Sequence, residues 1–166
     1  MIYLRPDKTN YYLDVALIIS ERSTCLKRHY GAVIVKNDII VSTGYNGNVR
    51  GMRNCCDIGY CQRAKMPRGV GYDSPTCSVH AEANAIIAAA RKDMLDGDLY
   101  LAGYDLSTGE LVEDPAPCNQ CMRLIANAGI KTVYVRMKDK TVKVIDVSRW
   151  IISGTELYAQ NEQGNQ

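Results

Sequence analysis

The residues best equipped for chemistry fall in two stretches. One is Cys77-Ser78-Val79-His80-Ala81-Glu82-Ala83-Asn84-Ala85-Ile86-Ile87, and the other is Pro117-Cys118-Asn119-Gln120-Cys121. His80 and two thiols three residues apart, Cys118 and Cys121, offer zinc three ligands, and a fourth tetrahedral position left to water makes such a site catalytic instead of structural. Glu82 follows the histidine by two positions, beside the metal without being needed on it, which suits a carrier of protons for a metal-bound water. A lone Cys-x-x-Cys reads as a structural site or as buried thiols. The histidine, the spare carboxylate and the Pro-Cys pair together point to catalysis.

These residues need helix N-termini to hold them. His80 to Arg91 is rich in Ala and Ile and reads as a helix, and Cys118 to Ala128 reads as a second one, with Pro117 suited to the first turn and Gly129 as its C-cap. Cysteines at i and i+3 share a helix face, so both sulfurs can reach one ion. The N-terminal dipole favours thiolates there.

Upstream, Lys8 to Cys25 reads as a helix, with Tyr12, Val15, Ala16, Ile19 and Ser20 near helical spacing and Thr9 or Asn10 as N-cap. Gly31 to Val35 and Ile39 to Thr43 are β-branched runs parted by Lys36-Asn37-Asp38, a hairpin signal. Asp98 to Ala102, Lys131 to Arg136 and Thr141 to Val147 read as further strands. Met137 to Lys140 is too short for a parallel crossover, so the fifth strand is expected to be antiparallel. The segment from Asn48 to Thr76 has no sustained period and is long for a structureless loop, which implies function or an added constraint. The tail, Ser148 to Gln166, opens on an apolar patch at Trp150 to Ile152 and is expected to fray. The expected fold is α/β and three-layered, a mixed five-stranded sheet with helices on both faces. Sites in such sheets form at strand ends.

The 166 residues suit one domain, 1–166, and an apolar share of 46% with 23% charged residues is that of a globular chain. A net charge of +2 argues against a general polynucleotide binder. No apolar run approaches the roughly 18 residues of a membrane span. Seven cysteines without a signal peptide are expected to be reduced thiols in a cytoplasm.

With these motifs in place, the sequence resembles the cytidine and deoxycytidylate deaminase superfamily, and within it the dCMP deaminases, over roughly residues 9 to 136. Beside the His80 and Pro117 blocks, the resemblance rests on Glu21-Arg22-Ser23-Thr24-Cys25, Gly31-Ala32-Val33-Ile34-Val35, Ser42-Thr43-Gly44-Tyr45-Asn46-Gly47 and Ala128-Gly129-Ile130-Lys131. It implies hydrolysis of dCMP to dUMP and ammonia with zinc as cofactor, Glu82 serving the attacking water, ring N3 and the leaving amino group in turn. It implies that Asn46 hydrogen-bonds the nucleotide and that the Ala81 N–H meets the pyrimidine carbonyl. It also implies a homo-oligomer, a hexamer, with dCTP and dTTP as effectors at the loop after Tyr45. A left-handed turn is the alternative role for Asn46.

The chain departs from those enzymes where Gly103 to Ala116 replaces a short link, with Ser107-Thr108-Gly109 as an expected hairpin tip, and where no helix separates the fourth and fifth strands. Both departures bear on the substrate pocket or the oligomer interface. Val49 also stands where the regulatory loop usually has Pro. Several relatives carry a second, structural zinc, for which Cys25, Cys55, Cys61 and Cys77 are candidates here, with Cys56 as the alternative to Cys55. A monophosphate needs a cationic cradle, for which Lys27, Arg28, Arg50, Arg53, Lys65 and Arg68 are available. The tyrosines carry no pattern beyond core or surface. Two other functions remain: deamination of another nucleoside, nucleobase or polynucleotide base, and an inactive zinc scaffold or nucleotide-binding regulator, which could dispense with Glu82.

Overall fold

The structure, a computed structural model, describes residues 4–67 and 78–163. Five strands make one mixed sheet in the order β2-β1-β3-β4-β5. β1 (Arg28–Lys36) and β2 (Ile39–Tyr45) form the expected hairpin, closed by Asn37 and Asp38 at φ of 51° and 65°. Two successive left-handed residues are what a tight turn between right-twisted strands requires. β3 (Asp98–Asp105) pairs antiparallel with β1 and parallel with β4 (Thr132–Arg136), and helix α5 (Asn119–Ala128) makes the crossover that a parallel pair needs. β5 (Val142–Asp146) returns antiparallel on β4, as expected from the short link.

Helices cover both faces. Helix α1 (Lys8–Ser20) lies on one, where Tyr12, Leu13 and Ala16 bury against Val33, Val35, Tyr100 and Ala102. The opposite face carries α3 (Ala81–Ile87), α4 (Arg91–Met94), α5 and the start of α6 (Val147–Gln163), over a core that includes Ile34, Leu99, Leu101, Ile125, Val133 and Val135. A short helix α2 (Cys55–Ile58) and a 3-10 turn (Gln62–Lys65) occupy part of the long loop after β2.

β1 starts at Arg28 instead of Gly31 and β3 continues to Asp105 instead of Ala102, and the helices differ from the sequence expectation in four places. Asp7, not Thr9 or Asn10, caps α1, its carboxylate accepting the Asn10 N–H at 2.9 Å. The same helix stops at Ser20 instead of reaching Cys25, because Ser23 turns away to donate its hydroxyl to the Asn46 carbonyl at 2.8 Å. The helix expected over His80 to Arg91 is two, α3 and α4, with Ala88 closing the first and Ala90 in extended conformation opening the second. The tail does not fray after Ser148. α6 runs through to Gln163, started by Asp146, whose carboxylate accepts the Ser148 N–H at 3.0 Å and its hydroxyl at 2.7 Å.

Two glycines set how closely the helices approach. A Cβ at Gly31 would lie 1.9 Å from the Ala16 carbonyl oxygen of α1, and one at Gly44 would lie 2.3 Å from the backbone of Ala81 and Ala85 in α3. Both obstacles are main chain and cannot swing aside. Gly31→Ala and Gly44→Ala are each expected to cost about 1–3 kcal/mol, lowering the thermal midpoint by roughly 2–12 °C. Gly154→Ala, in α6 with nothing within 4 Å of the added carbon, is expected to raise it slightly by helix propensity. Calorimetry in which all three variants shift alike would contradict the close approach.

Candidate active site

Two helix N-termini converge on the same point, as the residue spacing anticipated. His80 is the N-cap of α3, and Cys118 is the N-cap of α5, with Cys121 in that helix's first turn. His80 Nδ1 stands 3.4 Å from the sulfur of Cys118 and 3.4 Å from that of Cys121. All three donor atoms lie within 4.8 Å of one another. In a tetrahedron with Zn–N near 2.0 Å and Zn–S near 2.3 Å, the N to S edge is about 3.6 Å, so the triangle fits a zinc ion. The nitrogen facing the sulfurs must then carry the lone pair, which places the imidazole proton on Nε2.

Electrostatics favour the same ion. Burial pushes the Cys121 thiol up, and the neighbouring Glu82 carboxylate and Cys118 push it further in the same direction. A cation among the donors offsets that cost, and the N-terminus of α5 acts in the same direction. Glu82 is buried in the first turn of α3 and is no member of the triangle. Burial raises its carboxyl above the ordinary range, opposed by its own backbone N–H, by His80 and by the Cys121 thiol. A carboxyl in that position is favoured in its protonated form, which suits a group that takes up a proton and passes it on.

A cleft of about 1040 Å³ opens over these residues, lined by His80, Ala81, Glu82 and Cys118 at its foot. Ala81 is fully buried and is the first residue of α3, so its N–H has no acceptor within the helix. Asn46 also lines the cleft, but its side chain is engaged on β1: Oδ1 accepts the Tyr30 N–H at 2.8 Å and Nδ2 donates to the Arg28 carbonyl at 2.9 Å. One amide proton and one lone pair remain for a ligand. Asn46 is not among the left-handed residues, which removes the turn role as its explanation.

The other expected residues divide. Cys25, Cys55 and Cys61 share one side of the cleft, and burial, with Cys61 and Cys25 nearby, raises the Cys55 thiol. Among the described residues only His80, Cys118 and Cys121 converge as three metal donors. Cys77 lies outside the described residues, and Cys56 is exposed with its sulfur 3.6 Å from Asp57 Oδ1. Of the basic candidates, Lys27 and Arg28 line the cleft, whereas Arg50 and Arg53 are exposed elsewhere. Arg68 and the Lys65 side chain lie outside the description.

Residues that the sequence did not single out complete the cleft: Tyr30, Leu101, Asp105, Ser107 and Val112. Tyr30 sits in the period-two row with Ala32 and Ile34 on the core face, a signal the alternation of β1 carried. Asp105, Ser107 and Val112 come from the Gly103 to Ala116 segment. That segment folds back on β3 as a hairpin, with Tyr104 bridged to Leu111, the Val112 N–H donating to Gly103 at 3.1 Å, and Gly109 at φ of 69° in the turn.

Known proteins with this arrangement can now be set beside it. The model of the cytidine and deoxycytidylate deaminase zinc-binding region matches residues 6–137. Deoxycytidylate deaminase of Mycobacterium phage D29 is 35% identical over 132 residues, 78% of this chain and 94% of the relative. That of Schizosaccharomyces pombe is 34% identical over 130 residues, 78% of this chain but 37% of the relative, so the chain spans little more than a third of that protein. The crystal structure of dCMP deaminase from the cyanophage S-TIM5 in complex with dCMP and dUMP superposes with a TM-score of 0.58 at 26% identity, covering 81% of this chain and 85% of that one. A family model that takes in both the His80 and the Pro117 blocks, and a relative matched along nearly its whole length, agree with the donor geometry in placing this chain in the cytidine and deoxycytidylate deaminase family.

Proposed function

We propose that the chain is a zinc-dependent hydrolase that deaminates dCMP to dUMP and ammonia. The observation that carries this reading is the buried Glu82 carboxylate standing beside, and outside, the His80, Cys118 and Cys121 triangle at the foot of an open cleft. The relatives named for dCMP, and the complex of one of them with dCMP and dUMP, support the choice of substrate.

His80, Cys118 and Cys121 would hold zinc, which would supply the Lewis acidity that makes water a nucleophile near neutral pH. Glu82 takes a proton from that water and delivers it to ring N3 as the C4–O bond forms. It then moves a second proton to the amino nitrogen, so that ammonia leaves as the C4–N bond breaks and the C4 carbonyl closes. One carboxylate serves every transfer because burial favours its protonated form, so it holds the proton taken from water until a nitrogen receives it. The Ala81 N–H donates to the pyrimidine carbonyl and orients the ring. Asn46 offers its remaining amide proton to the nucleotide while its other contacts hold it on β1.

The finer features belong to the same reading. Cys25, Cys55, Cys61 and Cys77 hold a second, structural zinc, supported by the first three lining one side of the cleft. The chain acts as one domain, assembles as a hexamer, and binds dCTP and dTTP after Tyr45, on the strength of the Gly44-Tyr45-Asn46-Gly47 resemblance; Val49 stands against the effector role. It works in the cytoplasm, in keeping with the six free thiols among the described residues. No helix among those residues is long and apolar enough to cross a membrane.

Ammonia release from dCMP, cytidine, deoxycytidine and guanine tests the assignment, with dCMP expected to give the highest kcat/KM. No turnover of dCMP with or without dCTP or dTTP would overturn it. Glu82→Gln should keep its zinc yet lose about 10²–10⁴-fold in kcat; near-normal turnover would refute the proton-transfer role. Metal analysis of the purified protein should find two zinc per chain, and Cys55→Ser should lose one of them with the Cys118 site still filled. One zinc in the parent protein would remove the second site.

A further inference from the structure

The cleft has a floor that the mechanism leaves unused. On β1, Arg28, Tyr30, Ala32 and Ile34 form a period-two row, and their partners on β3 are Asp105, Gly103, Leu101 and Leu99. The inner half of this ladder, Ala32 and Ile34 against Leu101 and Leu99, is buried in the core. The outer half, Tyr30 over Gly103 and Arg28 opposite Asp105, lines the cleft. The polarity changes along a single sheet face, from aliphatic beneath α3 to phenol and then to guanidinium at the mouth.

Each outer residue is held in place. A Cβ on Gly103 would come within 2.6 Å of the Tyr30 ring, so the missing side chain makes the seat on which the ring lies. Arg28 donates from Nε to Asp105 Oδ2 at 3.3 Å and also hydrogen-bonds the Tyr30 hydroxyl, which leaves that hydroxyl's own proton, and the remaining guanidinium N–H groups, as donors for another acceptor. Asp105 is itself fixed, accepting the Ser107 N–H at 2.9 Å and the Ser107 hydroxyl at 2.6 Å. The phenol stands between two charges: Arg28 pulls its ionisation down and Glu82 pushes it up, against a larger upward effect of burial. Tyr30 therefore lies between the proton-carrying carboxylate and the guanidinium.

We infer that Tyr30 is a specificity-determining substrate contact, its hydroxyl donating a hydrogen bond to the phosphate of a nucleoside monophosphate whose charge Arg28, oriented by Asp105, neutralises. This rests on the proposed deamination. Glu82, Tyr30 and Arg28 line the same cleft, so a nucleotide with its base at Glu82 can present its phosphate to Tyr30 and Arg28, where a neutral nucleoside brings no anionic acceptor. The phenol stays protonated because burial raises its pKa, so it remains a donor throughout the working range. The Gly103 to Ala116 segment contributes by supplying both the seat, Gly103, and the orienting carboxylate, Asp105.

Tyr30→Phe keeps the ring on Gly103 and removes only the hydroxyl. Steady-state kinetics on dCMP and on deoxycytidine, with parent and variant side by side, test the inference. A hydrogen bond to a charged group is expected to be worth about 10- to 100-fold: KM for dCMP rises by that factor, kcat stays within about threefold, and kcat/KM for deoxycytidine is unchanged. An equal loss on both substrates would mean that the hydroxyl supports the fold or the chemistry, and an unchanged KM for dCMP would mean that it does not touch the phosphate; either result overturns the inference. A parent protein inactive on both substrates is a different failure, since it removes the deaminase reading itself and this assignment with it.

Discussion

The site depends on how closely α3 lies on the sheet. The helix comes down over Gly44 of β2, where no side chain separates the two backbones, and it is tied there by side chains from both partners. Ser42 donates its hydroxyl to the Ala85 carbonyl at 2.7 Å, and Asn84 donates its amide to the Tyr45 carbonyl at 2.8 Å. Just before the helix, Val79 and Gly47 exchange two backbone hydrogen bonds, at 2.7 and 3.1 Å. His80, Ala81 and Glu82 follow immediately, so the imidazole of the donor triangle, the free Ala81 N–H and the buried Glu82 carboxyl are all fixed by one docking event. A helix this short has little intrinsic stability. Its position comes from packing and from these tethers.

The second requirement is electrostatic. Glu82 and Cys118 disfavour ionisation of the Cys121 thiol, and burial adds to the cost for both Glu82 and Cys121. A divalent cation in the His80, Cys118 and Cys121 triangle offsets the thiolate charge while leaving Glu82 uncoordinated. The arrangement thus separates two roles for negative charge: the sulfurs hold the ion, and the carboxyl remains exchangeable. The N-terminus of α5, where Cys121 lies in the first turn, acts in the same direction as the cation.

The hairpin after β3 makes the cleft particular to this chain. It prolongs β3 to Asp105, turns at Gly109 and leads through buried Val112 and Pro115 directly to Pro117 and the ligand Cys118. Ion pairs fix its outer side to the β4–β5 hairpin, Lys138 with Glu110 at 2.9 Å and Lys143 with Asp114 at 3.3 Å. Both carboxylates and both lysines are well exposed, so each pair adds little to stability. They are better understood as setting the orientation of a wall that lines the cleft.

The sequence by itself determined the parts whose information is local. The i, i+3 spacing of Cys118 and Cys121, the His80 to Glu82 interval, the Asn37-Asp38 turn and the short link before β5 each specify a geometry within a few residues, and each is found as expected. Local signals were weaker at the helix ends. α1 stops at Ser20 because Ser23 finds Asn46, and α6 starts on an Asp146 cap that an expectation of fraying overlooked. Only the tertiary structure decided what depends on strand order and register. It put Tyr30 over Gly103 and Arg28 opposite Asp105, and it committed the Asn46 side chain largely to β1. The reason is physical: partners 75 residues apart, such as His29 and Tyr104, are adjacent because two strands pair in one register, and no spacing along the chain encodes that register.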